Sequence, residues 1–297
     1  MIIDSKSPQE KRAEFASVLA SGKLLQFPGA YNAMVGMLIE KLGFDGVYVS
    51  GGVMANTLGF ADVGLTTLNE VVQMSSDIAK VTSLPTIMDI DTGFGEVLNV
   101  VRTIKEVEYR GLTGCHIEDQ VNPKRCGHLD NKQIVSTKDM VQKVLAAAKA
   151  KTDSNFQIIA RTDARGLETL DQTIDRIKAY VDAGANIIFP EALQDEREFE
   201  AVRKAVDIPL LANMTEFGKS KLLTRKELEN LGFNIVIYPV TTQRLAMKNV
   251  EDGLAHIKNV GDQIDIVQNM QTRKRLYEVI DYDSYNEVDQ SVFNFNL

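Results

Sequence analysis

The sequence predicts an α/β fold in which eight parallel strands close into a (β/α)8 barrel of the TIM type. Eight short apolar runs that end in polar residues recur along the chain, at 24–28, 46–50, 85–91, 114–118, 156–163, 186–191, 209–215 and 234–239. Segments with helical periodicity lie between them. Because strands that alternate with helices pair in parallel, eight such units favour a closed barrel, with an open doubly wound sheet as the alternative.

The helices between the strands carry their own signals. At 97–107, valine and isoleucine recur three and four residues apart, so one apolar face can cover a sheet, and 170–181 repeats this spacing. Four glycines lie shortly before the next apolar run, as expected where helices end: Gly43, Gly111, Gly184 and Gly232. No G-x-G-x-x-G phosphate fingerprint is present, which weakens the case for the open sheet.

Further helices are predicted outside the eight units. The segment 8–19 is predicted as a helix before the first strand, where it can plug or flank the barrel. After the eighth strand, 244–277 is mostly helical. The polar tail 282–297 carries Phe293 and Phe295, so we expect it to pack on another surface or to fray. The prediction is one barrel domain over 1–297, with 244–297 as a helical extension.

Composition and charge exclude several classes of function. A formal net charge of −8 argues against binding to nucleic acid or to an anionic membrane surface. No apolar run approaches the roughly 20 residues that span a bilayer, and 1–15 is charged and lacks the apolar core of a signal peptide. Cys115 and Cys126 are the only cysteines, too few for a disulfide framework, so we expect a cytoplasmic protein.

The motif DIDTGFG at 89–95 carries the strongest chemical signal. Because side chains alternate along a strand, Asp89 and Asp91 are expected to point the same way at the end of the third strand. Glu118 at the end of the fourth strand and Asp62 in the loop after the second add to the negative charge, which requires a cation. Oxygen ligands suit Mg²⁺, which takes one or two protein carboxylates directly and holds others through water.

Polar residues also end the other strands, at the end of the barrel where the active sites of this architecture lie. Arg161 offers a fixed, planar cation for a substrate carboxylate. Further groups that can bind carboxylates are Ser50 with the amides of Gly51 and Gly52, and Asn213 with Thr215. The implied substrate is a small polycarboxylate.

A second distinctive segment is KRCGH at 124–128, in the long polar connection after the fourth strand. Cys126 is flanked by cations, which lower the pKa of a thiol and make it reactive; the alternative is a solvent-facing cysteine in a basic surface loop. Cys115 alternates with the polar residues of its strand and is predicted to pack in the core. His116 is predicted to donate or accept hydrogen bonds near the site, because a carboxylate-rich site favours hard ions over nitrogen-binding ones.

Eight short motifs spread along the chain carry a family resemblance. They are DIDTGFG (89–95), HIEDQ (116–120), KRCGH (124–128), YVSGG (48–52), ARTDA (160–164), FPEA (189–192), NMTEFG (213–218) and QTR (271–273). Together they resemble the isocitrate lyase/phosphoenolpyruvate mutase superfamily, and most of all its 2-methylisocitrate lyases. The likeness covers nearly the whole chain, and the motifs keep the order that they have in the family.

The resemblance implies cleavage of 2-methylisocitrate to pyruvate and succinate with Mg²⁺, or Mn²⁺ as a substitute, in propionate catabolism by the methylcitrate cycle. It implies a metal site at Asp89 and Asp91, with Asp62 and Glu118 around it. The substrate-binding residues that it implies are Ser50, Gly51, Gly52, Cys126, Gly127, Arg161, Glu191, Asn213, Thr215, Arg244 and Arg273. It also implies a homotetramer whose subunits exchange a C-terminal helix, which would give the region after Arg244 its partner.

Carbon–carbon cleavage of a 2-hydroxy acid requires a base for the hydroxyl proton and an acid for the carbanion left on the succinate half. The resemblance assigns the acid to Cys126, on a loop that closes over the site. The base is Tyr48, its phenol made more acidic by the metal and Arg161, or Glu118 acting through a water. Isocitrate lyase activity, hydrolysis or decarboxylation of a 2-oxo acid such as oxaloacetate, and a barrel that only binds a dicarboxylate remain alternatives. An apolar pocket discriminates one methyl group by only ~1–3 kcal/mol.

Overall fold

The eight predicted strands are all present, and they are parallel. The computed structural model describes residues 6–125, 127 and 132–293. The strands are β1 (Leu25–Pro28), β2 (Val47–Val49), β3 (Thr86–Asp89), β4 (Gly114–Glu118), β5 (Gln157–Thr162), β6 (Ile187–Pro190), β7 (Leu211–Asn213) and β8 (Ile235–Tyr238). Hydrogen-bonded ladders join β2 through β6 in chain order and join β1, β8 and β7. Parallel bridges from Gly29 to Tyr48 and from Ile188 to Leu210 connect the two groups, so the strands form the predicted closed barrel.

Helices surround this barrel and extend beyond it. They are α1 (Pro8–Ala20), α2 (Ala33–Lys41), α3 (Gly51–Thr57), α4 (Leu68–Ala79), α5 (Val97–Tyr109), α6 (Thr137–Ala150), α7 (Leu170–Asp182), α8 (Glu196–Ala205), α9 (Arg225–Asn230), α10 (Thr241–Val260), α11 (Arg273–Ile280) and α12 (Tyr282–Phe293), with short 3₁₀ helices at Ala164–Gly166 and Ile264–Asn269. The four glycines expected at helix ends have positive φ, between 76° and 103°. Glycine adopts this left-handed conformation without strain, and this explains their positions.

The barrel interior is an apolar core that α1 closes at the N-terminal end of the strands. Phe15 and Leu19 of α1 join a buried cluster with side chains from seven of the eight strands, all except β4. The Phe15 ring lies 5.5 Å from that of Phe27. On the same helix, the Lys11 ammonium donates to the carbonyls of Ala79 and Thr82, at 2.8 and 2.5 Å. The predicted N-terminal helix therefore plugs the barrel.

The C-terminal extension is helical, as predicted. No residue of α10 is buried, and its exposed apolar side chains include Leu245, Val250, Leu254 and Ile257. The tail predicted to pack or fray forms α12 over Tyr282–Phe293, and residues 294–297 lie outside the described part of the chain. Within the described residues, no helix is both long enough and apolar enough to cross a membrane.

Candidate active site

The C-terminal ends of the strands surround a cavity of about 220 Å³. Its lining comprises Tyr48, Ser50, Gly52, Asn56, Asp62, Asp89, Lys124, Arg125, Gly127, Arg161, Glu191, Asn213, Thr215, Pro239, Val240 and Arg244. Glu118 and Asp91 lie behind this lining, against Arg161 and Lys124 respectively. Side chains from distant parts of the sequence therefore meet at one end of the barrel, where parallel strands of a closed barrel end together.

The acidic side of the cavity consists of one lysine, Lys124, and four carboxylates, those of Asp62, Asp89, Asp91 and Glu118. The Lys124 ammonium pairs with Asp62 and lies 2.8 Å from Asp91 Oδ1. Asp89 Oδ1 accepts the backbone N–H of Asp91 at 2.9 Å, and Asp89 Oδ2 accepts that of Gly51 at 3.1 Å. These two hydrogen bonds hold the turn that places the Asp91 side chain beside Asp89.

Asp89 and Asp91 lie close together, but not for the reason that the sequence suggested. Strand β3 ends at Asp89, so alternation along a strand does not set the direction of Asp91. Asp91 has a φ of 47°, in the left-handed region that is uncommon for residues other than glycine. The expectation that strand geometry aligns the pair is therefore wrong, because a tight turn brings the second carboxylate to the first.

Burial and mutual repulsion shift the acidic groups towards their neutral forms. Burial and the neighbouring Asp89 raise the pKa of Asp91 to about 6, against the opposing effect of Lys124. Burial also raises the pKa of Glu118 well above its usual value, although Arg161 opposes this. Glu118 Oε1 is buried and has no hydrogen-bond partner among the described residues. An unpaired buried carboxylate oxygen beside other carboxylates is the environment that a cation or its bound water stabilises.

The donor set fits a magnesium ion held through few direct bonds. The available ligands are carboxylate oxygens, the type that Mg²⁺ prefers. No three acidic, histidine or cysteine side chains of the described residues converge in a ready ligand cluster. Mg²⁺ does not require such a cluster, because it usually keeps several waters and takes only one or two carboxylates.

Arg161 is the central cation of the opposite side of the cavity. Its Nε lies 3.0 Å from Asp163 Oδ2 and 3.3 Å from Glu118 Oε2. Its Nη2 donates to Asp163 Oδ1 at 3.1 Å and lies 3.3 Å from Glu191 Oε2. The guanidinium also lies over the Phe189 ring, 5.0 Å from its centroid. Bidentate pairing and stacking hold the plane of Arg161 in one orientation.

Tyr48 and His116 form a buried pair between the two sides. The Tyr48 hydroxyl lies 2.7 Å from His116 Nε2, and the two rings stack at an interplanar angle of 11°. Burial, assisted by Arg161, lowers the pKa of His116 to about 3, so its imidazole is neutral and can accept a proton in a hydrogen bond from Tyr48. Burial and Asp89 raise the pKa of Tyr48 well above its usual value, and this outweighs the lowering by Arg161 that the sequence suggested.

The predicted anion site after β2 lies at the start of α3. Ser50 Oγ accepts the backbone N–H of Val53 at 3.4 Å and caps this helix. The backbone N–H of Gly51 donates to Asp89 Oδ2. A Cβ atom on Gly51 would lie 2.8 Å from Asp89 Oδ2, and one on Gly52 would lie 2.9 Å from Asp62 Oδ2, so a larger residue at either position would displace a carboxylate of the acidic side. These glycines let the backbone approach the acidic groups closely.

The remaining predicted residues divide into two groups. Asn213 donates from Nδ2 to Glu191 Oε2 at 3.2 Å, and Thr215 and Arg244 line the outer part of the cavity. Arg273 begins α11, is exposed, and does not line the cavity of its own chain. Cys126 lies outside the described residues, but its two chain neighbours, Arg125 and Gly127, both line the cavity.

Two lysines belong to the site although sequence reasoning gave them no such role. Lys124 was visible only as a cation beside Cys126, yet it pairs with Asp62 and Asp91. The Lys132 ammonium donates a hydrogen bond to Asp163, and no sequence motif indicated a role for this lysine. The signal that could have identified Lys124 was the excess of carboxylates at the rim, which a nearby lysine can compensate as well as a metal.

Comparisons with known proteins place this chain in one family. The family model described as phosphoenolpyruvate phosphomutase matches residues 15–258. A protein of Corynebacterium glutamicum named probable 2-methylisocitrate lyase 2 is 52% identical over 290 residues, which cover 98% of this chain and 94% of that protein.

Solved structures agree with these sequence matches. An oxaloacetate acetylhydrolase in complex with 3,3-difluorooxalacetate superposes with a TM-score of 0.90 at 30% identity, covering 98% of this chain and all of that chain. A phosphonopyruvate hydrolase in complex with oxalate and Mg²⁺ superposes with a TM-score of 0.85 at 27% identity, covering 96% and 99%. The chain belongs to the isocitrate lyase/phosphoenolpyruvate mutase superfamily.

Proposed function

We propose that this protein cleaves the carbon–carbon bond of 2-methylisocitrate to give pyruvate and succinate. The observation that carries the proposal is the meeting, in one cavity, of the carboxylate group at Asp62, Asp89 and Asp91 with the fixed cation Arg161. A metal-binding side and a carboxylate-binding side are what a tricarboxylic 2-hydroxy acid requires. The 52% identity to a protein named as a probable 2-methylisocitrate lyase supports this substrate and a place in propionate catabolism by the methylcitrate cycle.

Mg²⁺ is the proposed cofactor, and Mn²⁺ is its proposed substitute. Asp89 and Asp91 would hold the ion, with Asp62 and Glu118 around it, and Glu118 Oε1, which has no hydrogen-bond partner among the described residues, could accept a hydrogen bond from a water of the ion. When bound, the ion supplies a Lewis acid for the oxygens of the substrate and the product keto acid. The similarity to a hydrolase structure that contains oxalate and Mg²⁺ supports this choice of metal.

The substrate carboxylates are proposed to bind at three places. Arg161, held by Asp163, would present its guanidinium to one carboxylate of the substrate. Glu191 lies against this guanidinium, and Asn213 donates a hydrogen bond to Glu191, so the two residues complete that side of the cavity. The Ser50 hydroxyl and the Gly52 amide, at the start of α3, line the cavity and offer donors for a second, while the Gly51 amide is held by Asp89. The outer residues Thr215 and Arg244 offer a hydroxyl and a cation for a third.

Two proton transfers complete the proposed reaction. The base that removes the hydroxyl proton of the substrate is Tyr48 in its phenolate form, after its own proton has passed to solvent, or Glu118 acting through a water. Burial and Asp89 oppose this ionisation of Tyr48, whereas Arg161 and a bound Mg²⁺ would favour it, and the Tyr48 oxygen lies 2.7 Å from His116 Nε2. Breaking the bond leaves an electron pair on the succinate half. The thiol of Cys126 then gives its proton to that carbon, and Gly127, next to it in the chain, lines the cavity. Exclusion of water from the cavity would protect the carbanion.

Hydrolysis of a 2-oxo acid is the second candidate, because the structure of an oxaloacetate acetylhydrolase superposes with a TM-score of 0.90. Isocitrate lyase activity differs from the proposed reaction by one methyl group of the substrate. Both candidates are weaker than the proposal, since the oxaloacetate acetylhydrolase is 30% identical whereas the probable 2-methylisocitrate lyase is 52% identical.

The proposal is tested by direct assay. Purified protein is incubated with 2-methylisocitrate, isocitrate or oxaloacetate, and pyruvate, succinate, glyoxylate and oxalate are measured. We expect pyruvate and succinate in equal amounts from 2-methylisocitrate, loss of activity with EDTA, and recovery when Mg²⁺ is added. A kcat/KM for oxaloacetate or isocitrate above that for 2-methylisocitrate would overturn the proposal, and so would activity that EDTA does not affect.

The assembly proposed here is a cytoplasmic homotetramer in which subunits exchange C-terminal helices. The exposed apolar side chains of α10 support contact with another subunit, because a soluble monomer rarely exposes so many along one helix. In such an assembly, Arg273 would contribute to the site of a neighbouring subunit, which agrees with its distance from the cavity of its own chain.

A further inference from the structure

Lys132 is a buried cation that the proposed chemistry does not use. Its side chain is 3% exposed, and its ammonium donates to the carbonyl oxygen of Gly127 at 2.5 Å and to Asp163 Oδ1 at 3.0 Å. A buried charge is costly unless it is paired and hydrogen-bonded, and Lys132 is both. The two partners are therefore the places where this lysine acts.

The first partner connects Lys132 to Arg161. Asp163 Oδ1 accepts a hydrogen bond from Arg161 Nη2 at 3.1 Å as well as the one from Lys132, while Asp163 Oδ2 accepts from Arg161 Nε at 3.0 Å. One carboxylate oxygen is thus shared between the two cations. Because both nitrogens of Arg161 depend on Asp163, a change in the position of Asp163 would rotate the guanidinium.

The second partner lies against the same group. A Cβ atom on Gly127 would overlap Arg161 Nη2 and would lie 2.6 Å from Asp163 Oδ1. The backbone of Gly127 therefore rests directly on the pair formed by Arg161 and Asp163. Lys132 holds both sides of this contact, since it bonds to the Gly127 carbonyl and to the Asp163 carboxylate.

The charges around Arg161 show why a second cation is needed there. Three carboxylates, Glu118, Asp163 and Glu191, lie within 3.3 Å of its guanidinium. Burial shifts Glu118 towards its neutral form, so Asp163 and Glu191 exceed Arg161 by one negative charge, and the Lys132 ammonium compensates that charge. Without Lys132, the repulsion among the carboxylates would favour movement of Asp163 away from its present position.

We propose that Lys132 is a positioning residue, which sets the orientation of Arg161 through Asp163 and holds the Gly127 backbone against that pair. The inference rests on the proposed function, in which Arg161 binds a carboxylate of the substrate. Its consequence is that Lys132, without touching the substrate, determines how tightly a dicarboxylate binds.

The test compares wild type with Lys132→Met, which keeps the apolar stem and loses the ammonium. Two quantities are measured in the presence of Mg²⁺: the KM for 2-methylisocitrate and the calorimetric Kd of the product succinate. We expect both to rise by about fivefold or more, because a misplaced Arg161 weakens carboxylate binding in folded molecules. Partial unfolding would lower the apparent kcat and leave KM unchanged. Values within about twofold of wild type would overturn the proposal.

Lys151→Met is the matched control. Lys151 also donates to backbone carbonyls, those of Ser154 and Phe156 at 3.2 and 2.8 Å, but it lies at the opposite end of the barrel, before β5. Its replacement removes a comparable set of hydrogen bonds and should leave KM and the succinate Kd unchanged. An equal rise in both variants would show a general loss of structure and would also overturn the proposal.

A second variant covers the case in which Lys132→Met does not fold. Lys132→Gln keeps an N–H donor for Gly127 but removes the charge beside Asp163, so it should fold and still raise the succinate Kd. Unchanged succinate binding in Lys132→Gln would count against the proposal. If wild type binds succinate but does not cleave 2-methylisocitrate, the proposed function fails, and the succinate comparison still decides the role of Lys132.

Discussion

Asp89 is the residue on which the geometry of the acidic group depends, since its two oxygens accept the amides of Asp91 and Gly51. Asp89→Asn keeps the shape of the side chain and removes one charge. We expect Mg²⁺ binding and kcat to fall by at least about 10–100-fold. Calorimetric titration with Mg²⁺ measures the first effect, with the exposed Asp182→Asn as control. Wild-type Mg²⁺ affinity in Asp89→Asn would refute the assignment of the metal site.

Gly127 has room for no side chain. An added methyl group would overlap Arg161 Nη2 and lie 2.7 Å from Glu191 Cγ, so Gly127→Ala should displace either the loop backbone or Arg161. A displacement of this size costs on the order of 100-fold in kcat/KM. Gly253→Ala is the control, because its methyl group would meet only Ile266 Cδ1, at 3.7 Å. Steady-state kinetics of both variants decide whether the close contact matters for turnover.

The two cysteines allow a direct comparison of chemistry with packing. Cys126→Ser should retain Mg²⁺ and succinate binding and lose about 10²–10⁴-fold in kcat, since a hydroxyl is a far weaker acid than a thiol. Cys115 is 1% exposed, so Cys115→Ser should cost about 1–3 kcal/mol of unfolding free energy and leave kcat unchanged. Near wild-type turnover in Cys126→Ser would remove the thiol from the mechanism.

At the scale of the element, α1 contributes stability at the end of the barrel opposite the cavity. Phe15 is 1% exposed and packs against Phe27, so Phe15→Ala should lower the free energy of unfolding by about 3–5 kcal/mol. Val18 lies on the same helix and is 41% exposed, so Val18→Ala should change it by less than about 0.5 kcal/mol. Urea denaturation measures both variants. A similar small effect of both would mean that α1 does not close the core.

The positions of the strands and helices could be predicted from the sequence more completely than the contacts between them. Apolar runs located all eight strands, and glycines such as Gly43 and Gly184 marked helix ends, because both signals are local. The turn at Asp91 was not predicted, since a positive φ at an aspartate depends on the amide that Asp89 accepts. The pairing of Lys124 with Asp62 joins residues 62 positions apart, and no local signal encodes it.

At the scale of the whole molecule, the exposed apolar residues of α10 predict self-association. Leu254 is 63% exposed and Ile257 is 42% exposed, so replacing both by Glu should break contacts between subunits. Light scattering should give about four times the 32.9 kDa chain mass for wild type and a smaller species for the double variant. Lys258→Glu, a polar substitution on the same helix, is the control. A monomeric wild type would contradict the assembly.

Periodicity and motif spacing are properties of neighbouring positions, so the amino-acid sequence was enough to predict the strands, their alternation with helices and the residue types at the rim. The folded structure was needed to show that Lys124 pairs with Asp62 and Asp91, and that Lys132 reaches Arg161 through Asp163. It also decided that Arg273 lies away from the cavity of its own chain. Such contacts depend on which segments the closed barrel brings together, and on how buried charges balance there.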